Sequence, residues 1–394
     1  MKLAARMARL GTETAFEVLA IVKKLEAQGK DIVSFAIGEP GFDTPDYIKE
    51  AAIDALRKGY TKYTPSAGIM PLREAIAEEI SKTRNIPVSP EEVVVAPGAK
   101  PFIFHSMWAL VNEGDEVIYP NPGFPIYESM INFVGGKPVP LPLLEEREFS
   151  FDVEHLRSLI SPKTKLIILN SPQNPTGGVL NQEDLEAVAE LALKHDIMVY
   201  SDEVYCRILY EGKFHSIASI PGMKEKTILA DGFSKTYAMT GWRMGYGVMR
   251  KELADGIARL ITNSDSCTAQ FTQMAGIQAI KGPQEPSAEM VREYKKRRDL
   301  IVSLLNDVRG FRCLSPKGAF YVFPNVTQAC RNLGMKDAVA LQNYLLDKGV
   351  AVLARIYFGS KNAGEKEEYI RLSYVGSEET IIEGLKRIKQ AIEK

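Results

Sequence analysis

Four short stretches, Val93-Val94-Val95, Leu166-Ile167-Ile168-Leu169, Ile197-Met198-Val199-Tyr200 and Ile228-Leu229-Ala230, are apolar or aromatic at every position. A strand with one wet face alternates, so unbroken runs of this length predict strands buried on both faces. Between the second and third runs the pattern changes to helical spacing. Asn181 is a good N-cap, Glu183 and Asp184 fall in the first turn, and Leu185, Val188, Ala189 and Ala192 recur three and four residues apart. Strand, helix, strand implies a parallel sheet with right-handed crossovers, hence an α/β fold.

The later pattern differs. A long charged helix is predicted from Met290 to Asp307, short strands near Ala319–Phe323 and Tyr369–Ser373, and an amphipathic helix from Glu378 to Ile392. This reads as a smaller α+β domain, to which the helix pattern from Thr14 to Ala27 is also assigned. The expected division is residues 40–285 for a large domain and 1–39 with 286–394 for the small one, with Lys281-Gly282-Pro283 as punctuation. At about 150 residues per domain, 394 residues allow such a pair.

Composition narrows the function. Hydrophobic residues at 45% and charged residues at 25% exclude a disordered chain or a rod. Lys+Arg 49 against Asp+Glu 50 supplies no polyanion footprint, so no nucleic-acid partner is expected. Cys206, Cys267, Cys313 and Cys330, like His105, His155, His195 and His215, lack ligand spacing, and no metal is expected. No apolar run approaches the roughly 18 residues of a membrane span, and the first residues lack the apolar stretch of a secretory leader. The expectation is a cytoplasmic protein.

Ligands of open parallel sheets bind outside the carboxyl ends of the strands. There the chain reads Asn170-Ser171-Pro172-Gln173-Asn174-Pro175-Thr176-Gly177, Ser201-Asp202-Glu203-Val204-Tyr205 and Asp231-Gly232-Phe233-Ser234-Lys235. Taken singly these are a turn, a helix cap and a solvated lysine. Together, an amide, a carboxylate, a phenol and an amine at adjacent strand ends could hold a planar, ionisable ring by its polar edges. Pro97-Gly98-Ala99-Lys100-Pro101 opens a further helix, whose free N–H groups favour an anion. Neither Gly-x-Gly-x-x-Gly nor a P-loop is present, so that anion is not expected to belong to NAD or ATP.

SKTYAMTGWRMGY (Ser234 to Tyr246), SPQNPTG, SDEVY and GEPGFDTP (Gly38 to Pro45) stand in an order and spacing that closely resemble the class I/II aminotransferases. The resemblance covers nearly the whole chain. It implies the fold type I architecture: a large domain around a mainly parallel sheet of seven-stranded type, and a smaller α+β domain. It also implies pyridoxal 5'-phosphate as cofactor and a homodimer with shared active sites.

Residue roles follow from the same resemblance. Lys235 forms a Schiff base with the cofactor and moves the substrate proton, since only an amine condenses reversibly with an aldehyde. Asp202 keeps the pyridine nitrogen protonated, and Asn174 and Tyr205 hydrogen-bond the 3-hydroxyl. Arg243 and the Gly98-Ala99-Lys100 turn take the phosphate. Relatives often carry a hydroxyl where this chain has Gly232, so Ser234 or Thr236 is expected to substitute. Phe124 stacks on the ring, and Tyr63 reaches the phosphate of a neighbouring subunit. Arg371 grips the substrate α-carboxylate with a planar fork, helped by the backbone at Gly38.

Specificity is thinner. Lys100 could face a distal substrate carboxylate or stay near the phosphate. The segment Leu353-Ala354-Arg355-Ile356-Tyr357-Phe358-Gly359 departs from the family's Pro-Gly-Ser-x-Phe-Gly, and Arg355 reads either as a carboxylate ligand or as a surface or interface residue. The expected activity is ping-pong transfer from an L-amino acid, preferably aspartate, to a 2-oxo acid, preferably 2-oxoglutarate. The alternatives are a β-lyase on the same fold, or a transaminase for alanine or aromatic amino acids. A ligand-sensing regulator is disfavoured, because little chain precedes Gly38 to form a DNA-binding domain.

Overall fold

The computed structural model describes residues 3–12 and 14–393; Met1, Lys2, Glu13 and Lys394 lie outside them. Strand β1 (Val33–Ser34) comes first, then β2 (Val93–Ala96), β3 (Glu116–Asn121), β4 (Lys137–Leu144) and β5 (Ser150–Phe151). After these come β6 (Thr164–Asn170), β7 (Met198–Asp202), β8 (Thr227–Gly232) and β9 (Gly245–Val248). The last four are β10 (Tyr321–Val322), β11 (Val350–Ala351), β12 (Leu353–Ala354) and β13 (Ile370–Ser373).

The main sheet runs β2-β9-β8-β7-β6-β3-β4-β5. Strands β8, β7, β6, β3 and β4 pair parallel, and β2 points the same way because it and β8 are both antiparallel to β9. The eighth strand, one more than expected, is the two-residue β5, which folds back antiparallel on β4 at the sheet edge. The apolar runs are buried on both faces as read: Leu166, Ile167, Ile168, Val199 and Ile228 have no exposed surface. Each contributes roughly 1.5–3 kcal/mol by leaving water.

Local signals explain the helices. Asn181 caps the helix Gln182–Lys194 in a reciprocal pair with Asp184. Ser377 caps Glu378–Ile392, which has acids in its first turn and Lys389 in its last. The long helix begins at Glu285, five residues before the expected start, because Pro286 sits in its first turn, where no N–H is needed. The helix Thr14–Ala27 matches its expectation.

A second group of elements surrounds the antiparallel sheet β10-β13-β12. Its core joins Tyr294, Ile301 and Leu305 of the long helix to Phe320, Leu372, Leu385 and Ile388. The segment before residue 40 is tied to this group. β1 pairs parallel with β11, and Ser373 N donates to Phe35 O at 2.9 Å. That anchoring carries Ala36 to Gly38 across to the carboxyl ends of the main sheet. All four cysteines are free thiols. Among the described residues no helix is long and apolar enough to cross a membrane.

Candidate active site

A cavity of about 480 Å³ opens where β2, β3, β6, β7 and β8 end. Its walls bring together eleven of the expected residues: Gly38, Ala99, Lys100, Phe124, Asn174, Asp202, Tyr205, Ser234, Lys235, Arg243 and Arg371. Thr236 is buried outside this wall, and Ser234 is the hydroxyl that lines it. Gly98 lies directly behind. Its φ of +100° is open to glycine, and a Cβ there would come within 2.5 Å of Arg243 Nη2.

Lys235 emerges from the short helix Phe233–Thr236 that continues β8, and fully buried Phe233 anchors the turn in the core. Its Nζ donates to Gly38 O at 2.6 Å, across the 197 residues that separate them in sequence. Asp202 ends β7 and is buried. Burial pushes its carboxyl up to about 6, and the nearby acids Asp231 and Glu203 add to this. Hydrogen bonds from Tyr127 and the Val204 amide oppose the rise. A buried carboxylate destabilised in this way fits a cationic ring nitrogen as its partner.

Asn174 and Tyr205 flank the carboxylate through separate contacts. Asn174 N donates to Asn170 Oδ1 at 3.0 Å, and its Oδ1 accepts from Arg371 Nη1 at 2.9 Å. The Tyr205 and Tyr321 hydroxyls lie 2.8 Å apart. Burial holds the Tyr205 phenol well above its ordinary range, which keeps it neutral and able to donate.

The two arginines stand on different elements. Arg243 donates to Thr240 O at 2.9 Å and Pro97 O at 3.0 Å, lying against the turn that opens the helix Lys100–Leu110. Arginine and helix start form a cradle that suits a phosphate dianion. Arg371 lies on β13, where Ile370 and Leu372 alternate into the other core and the arginine faces the cavity. It also donates to Ala36 O, and its guanidinium sits 4.5 Å from the Tyr321 ring centre and 4.9 Å from that of Phe358. Amine, buried acid, phenol, amide and phosphate cradle together suit pyridoxal phosphate.

Tyr63, expected toward a second copy, and Arg355 lie outside this cavity. Tyr63 is 89% exposed and does not line this cavity. Arg355 is 1% exposed, which corrects both readings of it: its Nε and Nη2 grip Glu365 at 2.8 and 2.9 Å, and it faces a different cavity. Nothing in the residues around Arg355 pointed to Glu365, ten positions downstream, as its counter-ion.

Three further wall residues, given no role by the sequence reading, make polar contacts within the site. Tyr127 donates to Asp202 Oδ2 at 2.5 Å, Asn170 Nδ2 donates to Asp202 O at 3.3 Å, and Tyr321 joins Tyr205 to Arg371. Tyr127 and Asn170 had a local signal, a phenol three residues after Phe124 and an amide closing a strand. Tyr321 had none.

Comparison with known proteins agrees with this geometry. The sequence pattern of aminotransferase class I and II matches residues 30–388. A probable aspartate/prephenate aminotransferase of Aquifex aeolicus is 41% identical, covering 100% of this chain and 99% of its own. Aromatic-amino-acid aminotransferase 2 of Thermococcus litoralis is 38% identical over 93% of this chain and 94% of its own. The structure of aspartate aminotransferase from Thermus thermophilus with maleate superposes with a TM-score of 0.93 at 37% identity, covering 99% of this chain and 100% of that one. The chain belongs to the class I and II aminotransferases, transferases that depend on pyridoxal phosphate.

Proposed function

We propose that this aminotransferase moves the amino group of an L-amino acid, aspartate by preference, to 2-oxoglutarate in a two-step ping-pong cycle. One observation carries the reading: Lys235 and Asp202 share a cavity with two arginines on separate elements, one for each anion that must be held. Pyridoxal phosphate supplies an aldehyde that condenses with amines and a protonated ring that draws electrons from the substrate α-carbon. Everything else is done by the chain. Asp202 holds the proton on the ring nitrogen. Lys235 Nζ takes the α-proton and returns it, and Arg371 sets the α-carboxylate so that the α-C–H bond is the one that breaks. Arg243 and the 98–100 turn anchor the phosphate through both half-cycles.

Aspartate is supported by the names of the Aquifex and Thermus relatives and by Lys100, an exposed cation on the cavity wall 5.4 Å from the Phe124 ring centre. The Thermococcus relative favours aromatic amino acids as the second reading. A homodimer is part of the proposal, with exposed Tyr63 reaching the phosphate of the second copy. So is the division at residues 40 and 285, which the β1–β11 pairing supports. The test is the absorption spectrum of the loaded protein. Aspartate alone should replace the visible band by an ultraviolet one, and 2-oxoglutarate should restore it. A band that moves with phenylalanine and not with aspartate selects the second reading.

Arg371→Lys keeps the charge and loses the fork. The KM for the amino acid should rise about 10- to 100-fold, the worth of one charge-assisted hydrogen bond. Cofactor affinity should hold, as read by fluorescence titration. An unchanged KM would remove Arg371 from the site.

A further inference from the structure

The loop after β12 is built around a buried charge that the cavity does not use. Arg355 Nε and Nη2 bind both oxygens of Glu365, Nη1 donates to Gly359 O at 2.8 Å, and Nη2 also reaches Asn121 Oδ1 at 3.1 Å. Glu365 Oε2 accepts in addition from the Asn362 backbone and side-chain nitrogens, at 2.9 and 3.0 Å. Asn121 Nδ2 donates to Ser360 O at 2.7 Å. Asn121 ends β3, three residues before Phe124. Gly123 N donates to Phe358 O at 2.8 Å, and the Phe358 ring lies against the Arg371 guanidinium. The ion pair thus ties the loop to the strand end that carries Phe124, and the same loop lays Phe358 against the face of Arg371.

We propose that the Arg355–Glu365 pair is a latch that positions Arg371 for carboxylate recognition, acting through Phe358. Neither latch residue lines the active-site cavity; both face a second cavity of about 750 Å³. A buried arginine deprived of its carboxylate draws in water, so the loop opens and Phe358 leaves the guanidinium. Arg371 then has to be ordered again whenever a substrate binds. Gly359 makes the loop path specific. Its φ is +112°, and a Cβ would stand 2.5 Å from Asn121 Oδ1.

The inference rests on the role proposed for Arg371, so its test must separate the two. Arg355→Lys, Glu365→Gln and Gly359→Ala are prepared as loaded enzymes. Calorimetry measures their affinity for maleate and 3-phenylpropionate, unreactive carboxylates that do not depend on turnover. Affinity for at least one should fall about 10- to 100-fold. The KM values of donor and acceptor should rise in step, with kcat within about threefold and cofactor affinity unchanged. Combining Arg355→Lys with Glu365→Gln should add little to either alone, because both break one interaction. Gly359→Ala opens the loop with both charges in place and serves where a charge variant fails to fold. Carboxylate affinities within twofold of the wild type, or losses confined to thermal stability or cofactor binding, overturn the latch. A wild type that lacks transaminase activity yet loses carboxylate affinity in the variants keeps the latch and sinks the functional reading.

Discussion

Lys235→Ala should lower turnover by at least about 10⁴-fold, the upper range for losing a positioned proton-transfer group. No nearby amine takes over without rebuilding the turn. Lys235 is held by the helix Phe233–Thr236 behind β8 and by its bond to Gly38 O, whereas Lys100 leans on the Phe124 and Phe16 rings. The phosphate cradle is untouched, so the variant should still bind pyridoxal phosphate, but reversibly. Borohydride followed by mass spectrometry should add the cofactor to the wild type at Lys235 and leave the variant unmodified. Retention of more than about 1% of wild-type turnover, or a cofactor fixed to another lysine, would overturn the assignment.

Asp202→Asn should act in opposite directions on rate and stability. Without a charge to keep the ring nitrogen protonated, kcat should fall about 10²- to 10³-fold, as when a preorganised electrostatic partner is removed. In the cofactor-free protein the same change should stabilise. The Asp202 carboxyl is raised from its usual 3.8 to about 6 by burial. Well below pH 3.8 it is protonated in both the folded and unfolded chain, and the variant gains nothing. As pH rises through 4 to 6 the unfolded chain releases this proton first, and the folded state loses stability. Above pH 6 the loss levels off at about 3 kcal/mol, which the amide, neutral throughout, does not suffer. Denaturant melts of both cofactor-free proteins at pH 4 and 7.5 would show it. A stability advantage of the variant that is equal at the two pH values would contradict the burial argument, and an unchanged kcat would contradict the ring role. Sites that carry function are where a local cost of this kind is expected.

The carboxyl edge of the main sheet was legible along the chain because its signal is local. Unbroken apolar runs declared doubly buried strands, and the polar stretch after each run therefore had to stand at the sheet's carboxyl edge. The stretches that carry Asn174, Asp202 and Lys235 were located in this way and Gly98 by the turn before its helix, while the roles assigned to them came from the family resemblance. The helix Glu378–Ile392 was equally clear, since Ser377 and the acids after it are adjacent in sequence.

Contacts between residues far apart in the chain were not legible. Lys235 meets Gly38, Arg371 meets Asn174 and Ala36, and Tyr321 meets Tyr205, each across a separation of more than 100 residues. Arg355 is the clearest case. A lone arginine beside a substrate site reads as a ligand or a surface residue, and only the return of the chain through Glu365 turns it into a buried clamp. The sheet, the chemistry of its edge and the family were thus written in the order of residues alone. Which charges share a wall and which neutralise each other was settled by the folded arrangement, because a charge is tolerated inside a protein only where a partner meets it, and strand and helix periodicity carry no record of partners.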